Sequence, residues 1–204
     1  MAHPSPRLST ACLVGAWRSI DFTEAMMSKK VLILSGTPRK KGNSRVLCEQ
    51  FMQGAVAAHH DVELLSLAEK EVRPCTGCYA CRAKGKCAQQ DDMKAILASM
   101  IDADVIVMAT PVYFYSMCAQ MKALIDRTVA RYTEIRDKEF YFIVTAADGD
   151  RANMKRTLEG FRGFTSCLDG AKEMGVIYGV GAWEIGAIQN TSAMQDAYEM
   201  GRKL

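Results

Sequence analysis

Aliphatic runs and stretches of helical spacing alternate along this chain. Val31-Leu32-Ile33-Leu34 is apolar throughout and ends at Ser35-Gly36-Thr37-Pro38, the pattern of a parallel strand covered on both faces. Asn43 or Ser44 can then cap a helix with Leu47, Phe51 and Ala55 on one side, and Val62-Leu64-Leu65-Leu67 reads as a second strand. Asp91-Asp92 opens the next helix, where two carboxylates meet the positive end of its dipole and Ile96, Leu97, Met100 and Ile101 share a face. Val105 to Ala109 is a third strand, stopped by Thr110-Pro111. Ser116 is expected to cap a helix whose Met117, Met121, Leu124, Ile125 and Val129 point inward. Phe140 to Thr145 gives strand four, residues from about 151 to 173 a long helix, and Val176 to Val180 strand five before a closing helix from about Thr191.

Five strands alternating with helices predict an α/β fold, a doubly wound parallel sheet with helices on both faces, because parallel neighbours need right-handed crossovers. In the flavodoxin-like order, 2-1-3-4-5, ligands bind beyond the carboxyl ends of strands one and three, where the winding reverses. With 204 residues the chain holds one such domain, assigned to 29–204 with a cysteine-rich loop at 75–90. Residues 1–28 read as a flexible extension or a mis-assigned start: Ala11 to Trp17 imitates a signal peptide but is too short and lacks a cleavage site. No apolar run is long enough to span a bilayer, and a net charge of +3 without a basic stripe gives no nucleic-acid footprint. Neither membrane nor nucleic acid is expected as a partner.

Candidate chemistry sits in the strand-end loops. Ser35 to Ser44 joins a strand to a helix start, so its N–H groups and hydroxyls converge on a positive dipole end suited to phosphate. Thr37, Ser44, the Asn43 amide and Arg39 are the expected donors, and Ser35 is counted with them among the cofactor-binding residues. The loop carries neither a dinucleotide fingerprint nor a Walker motif, and an ordinary polar loop remains the alternative. After strand three, Pro111-Val112-Tyr113-Phe114-Tyr115 places aromatics at the crevice mouth, either as a wall for a flat ring or as a hydrophobic plug or subunit contact. Opposite a phosphate loop, such a wall fits flavin mononucleotide. Thr145, Ala146, Ala147 and Asp148 offer small residues and backbone groups to a third side of the ring.

Of eight cysteines, Cys75, Cys78, Cys81 and Cys87 lie within thirteen residues, with Gly77 and Gly85 allowing tight turns. Such clustering is unlike a disulfide framework and fits a reducing, cytoplasmic compartment. Three cysteines at every third position can converge on one cubane, and the spacing is close to the ferredoxin run, which favours a [4Fe–4S] cluster. Zinc, which more often pairs two separated CxxC units, and bare redox-active thiols are the alternatives.

With these residues in view, the chain resembles the iron–sulfur flavoprotein branch of the NADPH-dependent FMN reductase-like, flavodoxin-fold proteins. Gly36-Thr37-Pro38-Arg39-x-x-Gly42-Asn43-Ser44 is similar to that family's phosphate loop, Pro111 to Tyr115 to its isoalloxazine loop, and Cys75 to Cys87 followed by Asp91-Asp92-Met93 to its cysteine motif. The resemblance implies FMN at the strand ends, a [4Fe–4S] cluster beside it, and a homodimer or homotetramer sharing flavin contacts. The expected function is an oxidoreductase that moves electrons between cluster and FMN and on to a small-molecule acceptor, with ferredoxin or NAD(P)H as donor. No acid–base dyad is required, so no catalytic residue is assigned. Two alternatives stand beside it: an NAD(P)H-dependent FMN or quinone reductase without a cluster, and a zinc or thiol redox sensor. His59-His60 and Trp183 are given no part in the chemistry.

Overall fold

A computed structural model describes residues 28–204. The expectations for the N-terminal extension fall outside the described residues, except at Ser28.

The central strands form because their runs are apolar on both sides. β1 (Lys30–Ser35) pairs in parallel with β2 (Asp61–Ser66) and β3 (Val105–Tyr113), β3 with β5 (Glu139–Thr145), and β5 with β6 (Lys172–Gly179). The order β2-β1-β3-β5-β6 is the expected 2-1-3-4-5, with one addition, the two-residue β4 (Ser116–Met117), which pairs antiparallel with the end of β3.

Successive residues of each strand enter opposite layers, as the pleat demands. Val31, Ile33, Val105, Val107, Tyr141 and Ile143 pack under α1 (Asn43–Ala57) and the last helix, α6 (Ala193–Arg202). Leu32, Leu34, Ile106, Met108, Phe140 and Phe142 face α3 (Met93–Asp102), α4 (Ala119–Arg127) and α5 (Lys155–Thr165). A five-residue helix, α2 (Ala80–Lys84), lies within the cysteine-rich loop. Among the described residues no helix is long and apolar enough to cross a membrane.

Where α1 and α6 meet, Gly54 and Gly201 let the backbones touch: a Cβ on Gly54 would overlap the Tyr198 carbonyl oxygen, and one on Gly201 that of Phe51. Gly54→Ala should therefore lower stability by about 2 kcal/mol through forced helix separation, read from the urea midpoint.

Three expectations are corrected. The helix predicted over about 151–173 is a 3₁₀ turn (Arg151–Met154) followed by α5, which ends at Thr165; β6 then begins at Lys172 instead of Val176. Gly170, at φ +69°, turns the chain, and the exposed Lys172, Glu173 and Met174 carry no hydrophobic pattern to mark a strand. Ser116 caps nothing, because it pairs with Tyr113 in a hairpin that delays the helix to Ala119. Val129 points outward, because α4 stops at Arg127 and gives way to a 3₁₀ turn.

Candidate functional site

The strand order reverses between β1 and β3, and a cleft opens there. Its walls come from all three expected loops: Thr37, Arg39, Gly42, Asn43 and Ser44 after β1; Pro111, Val112 and Tyr113 at the end of β3; Thr145, Ala146 and Ala147 after β5. Ala182 and Trp183, from the segment after β6, close the fourth side.

α1 points its N-terminus into this cleft. Val46 N–H is the first to bond back, to Gly42 O, so the preceding N–H groups of the first turn have no helical partner, the usual condition of a helix start. Their dipole end favours an anion. Thr37 Oγ1 accepts from Arg39 N–H at 3.3 Å, and a Cβ on Gly42 would come within 2.6 Å of that oxygen, so the cradle tolerates only glycine at this point without moving Thr37. Ser44 and Thr145 join hydroxyls at 2.7 Å, tying the loops after β1 and β5 together.

Asn43 plays a different part from the one its position in the loop indicates. Its Nδ2 donates to Ala182 O and Glu184 O, both at 2.9 Å, and its Oδ1 accepts from Gly186 N–H at 3.1 Å and Ile188 N–H at 3.4 Å. The side-chain amide is thus spent on holding the 182–188 segment against the cleft. Its backbone N–H remains among those of the helix start.

Three other expected residues stand off the cleft. Ser35 is fully buried; its hydroxyl has no hydrogen-bond partner among the described residues and lies beside Cys48, whose thiol burial pushes up to about 12. Strand alternation sends Ser35 to the α1 side. Asp148 turns its carboxylate to Asp150 N–H and Asn153 Nδ2, at 2.8 and 2.7 Å, and so organises its own turn. Phe114 is wholly exposed at the tip of the β3–β4 hairpin.

That hairpin is strained. Phe114 and Tyr115 sit at φ +49° and +61°, where two-residue hairpins normally carry Asn-Gly. Bulky residues in this region cost of order 1–3 kcal/mol each. Since Phe114 is wholly exposed within its own chain, Phe114→Asn should raise the stability of the single chain by about 1 kcal/mol, visible as a higher urea midpoint with an unchanged slope at concentrations where the protein is monomeric.

The cysteine-rich loop forms a second concavity. Cys75, Cys78, Cys81 and Cys87 all line one small cavity, closed by Arg127, Val129 and Ala130. Left-handed residues at Gly77, Tyr79 and Gly85 wrap the chain around it. The Ala80 N–H, and after it the Thr76 hydroxyl, hold the Cys78 thiol below its ordinary pKa. Among the described residues no three His, Cys, Asp or Glu side chains converge closely enough to hold a single metal ion.

Behind this cavity lies an ion pair that sequence patterning missed. Arg127 Nη1 and Nη2 reach Asp91 Oδ2 and Oδ1 at 2.7 and 2.9 Å, and Nη1 also reaches Arg73 O at 2.7 Å; both side chains of the pair are buried. Hydrogen bonding from Arg127 holds the Asp91 carboxyl below its usual range, and Asp91 raises Arg127 in turn. Asp91 was read as a dipole residue of α3, and it does accept from Met93 N–H at 3.3 Å, but its main partner comes from α4. Trp183, given no part in the chemistry from sequence, borders the cleft just beyond the last strand.

A doubly wound flavodoxin-like sheet with a cleft at its switch point and a helix start aimed into it, together with a separate four-thiol cavity, defines the class. Within that class, the family model for NADPH-dependent FMN reductase matches residues 29–172, and the chain belongs to that family. It is 41% identical over 99 residues to an iron–sulfur flavoprotein of Methanocaldococcus jannaschii, covering 48% of this chain and 51% of that protein. An iron–sulfur flavoprotein of Methanosarcina thermophila is 37% identical over 100 residues, 49% of this chain and 52% of that one. The chain thus spans about half the length of these curated relatives. The fold is shared with an azoreductase from Bacillus anthracis, at 20% identity and a TM-score of 0.66 over 86% of this chain and all of that one.

Proposed function

We propose that this chain is an FMN-dependent oxidoreductase that exchanges electrons between a [4Fe–4S] cluster on Cys75, Cys78, Cys81 and Cys87 and FMN in the switch-point cleft. The observation that carries the flavin reading is the meeting of three loops and the α1 N-terminus on one cleft. The phosphate would lie against the first-turn N–H groups, with Thr37, Ser44 and Arg39 as side-chain donors. Pro111, Val112 and Tyr113 would face the ring from one side, Thr145, Ala146 and Ala147 would offer backbone groups, and Trp183 would border it from the 182–188 segment. Relatives named iron–sulfur flavoproteins and the shared cavity of the four thiols support the cluster.

When bound, FMN supplies one- and two-electron chemistry and the cluster single electrons. The protein's work is to bind, orient and shield. Arg39 extends toward Trp183 O, at 3.5 Å, across the phosphate end. A groove lined by Lys84, Lys86, Lys94 and Arg131 adjoins Cys87, which favours an anionic donor such as an acidic ferredoxin; NAD(P)H is the other candidate. The solvent-facing Tyr113, Phe114 and Tyr115 supply the surface for the homodimer or homotetramer implied by the resemblance.

A second reading, an NAD(P)H-dependent FMN or quinone reductase, is favoured by the cleft itself, whose border at Trp183 is 71% exposed and leaves access for a nicotinamide. Iron, acid-labile sulfide and flavin counted on protein purified without oxygen decide between them. The expected result is one FMN and one [4Fe–4S] cluster per chain. Flavin without iron would leave the second reading, and protein that binds no FMN would overturn both.

A further inference from the structure

Arg127 is 1% exposed, and its two terminal nitrogens are committed to Asp91 and Arg73 O. Its Nε–H has no hydrogen-bond partner among the described residues. Buried donors without partners are rare enough that each needs an explanation. The side chain lines the cysteine cavity and, among the described residues, is the only charged one that does so. Cys87 lines the same cavity and lies close enough to favour the guanidinium charge, behind the larger effect of Asp91.

A thiol sulfur is a weak acceptor, whereas a thiolate ligated to iron is a strong one. The orphaned donor is therefore satisfied when Cys87 is a ligand. Asp91 engages the far side of the guanidinium, so the positive charge stands nearer the cavity than the carboxylate that balances it. A cluster taking up one electron gains one negative charge, and both a hydrogen bond to a ligating sulfur and a fixed cation favour the more negative state.

We propose that Arg127 is a positioning residue for the cluster site: it donates Nε–H to the Cys87 sulfur, holds a buried positive charge against the cluster, and thereby raises its reduction potential. This inference rests on the cluster reading above. It also gives the ion pair a purpose beyond anchoring the loop. α4 begins just after the buried Cys118, whose N–H donates to Thr110 Oγ1 at 2.9 Å, next in sequence to the cleft residue Pro111, and ends about 13 Å further on at Arg127. The residue that tunes the cluster is thus carried by the helix that begins behind the end of β3.

The test is the cluster's midpoint potential, from an anaerobic dithionite titration followed by electron paramagnetic resonance, in iron-replete protein. The pair Asp91→Asn with Arg127→Gln removes the cation without stranding a buried carboxylate. It should make the cluster about tenfold harder to reduce, 59 mV more negative for a one-electron couple, with the flavin potential unchanged. Arg127→Lys keeps the charge, loses the Nε donor and should fall between the two. In wild-type protein with guanidinium ¹⁵N-labelled arginine, pulsed resonance of the reduced cluster should show a ¹⁵N coupling that Arg127→Lys lacks.

A wild-type potential in iron-replete variants, or no ¹⁵N coupling in wild-type protein, would overturn the proposal and leave the cluster reading intact. Wild-type protein without iron and sulfide would overturn both. Because the labelling readout uses the unsubstituted chain, the outcome does not depend on the variants folding.

Discussion

Asn43→Ala should lower the stability of the protein by about 3 kcal/mol and weaken FMN binding by about 30-fold. The side chain makes four hydrogen bonds to the 182–188 segment, each contributing about 0.5–1.5 kcal/mol net, and truncation leaves two carbonyls and two N–H groups to find other partners. Loosening that segment by about 2 kcal/mol frees Trp183 from the cleft, which accounts for the affinity loss at 1.4 kcal/mol per tenfold. Urea unfolding of the apoprotein and flavin fluorescence titration measure the two effects separately. Asn43→Asp sharpens the result, because it keeps an acceptor for Gly186 and Ile188 N–H while setting a carboxylate against the Ala182 and Glu184 carbonyls. It should be no better than alanine. Wild-type flavin affinity in either variant would mean that the 182–188 segment does not form part of the binding surface.

Arg127→Met should cost about 3–5 kcal/mol, since breaking a buried pair leaves an uncompensated charge in place of a satisfied one. Its pH dependence should invert as well. In the wild-type protein the folded-state pKa of Asp91 lies below its unfolded value of about 3.9. Its contribution is therefore fully present above that value and lost as pH falls through the depressed one. Without Arg127, burial raises the carboxyl instead. The penalty is then full above the raised pKa and lifts as Asp91 takes up a proton, so the variant's deficit shrinks as pH falls toward the unfolded value. Urea midpoints measured from pH 7 to pH 4 would show this. A deficit constant across the range would mean that Asp91 keeps its charge by reaching water.

Much of this was legible in the chain. The apolar runs Val31 to Leu34, Val105 to Ala109 and Phe140 to Thr145 could only be central parallel strands, and strand order placed the loops after β1, β3 and β5 together. The cleft is lined by Thr37, Arg39, Asn43, Ser44, Pro111, Val112, Tyr113, Thr145, Ala146 and Ala147, all named from local pattern. Such signals survive in sequence because periodicity, capping and loop composition act over a few neighbouring residues.

The roles of individual side chains were decided by tertiary structure. Ser35 belongs to a loop that reads as phosphate-binding, yet the pleat turns it into the core beside Cys48. Phe114 belongs to an aromatic wall, yet a left-handed hairpin carries it into solvent. Asn43 and Glu184 meet across 141 positions and Asp91 and Arg127 across 36, with no shared period to announce either contact. The chain by itself determined the doubly wound sheet, the polar loop after β1 and the clustering of four thiols, because each follows from residues close in sequence. Only the tertiary structure decided that Asn43 holds the 182–188 segment, that Trp183 borders the cleft and that Arg127 lines the thiol cavity with an Nε–H unpaired among the described residues. Those contacts depend on which buried polar groups must satisfy one another once distant segments share the same interior.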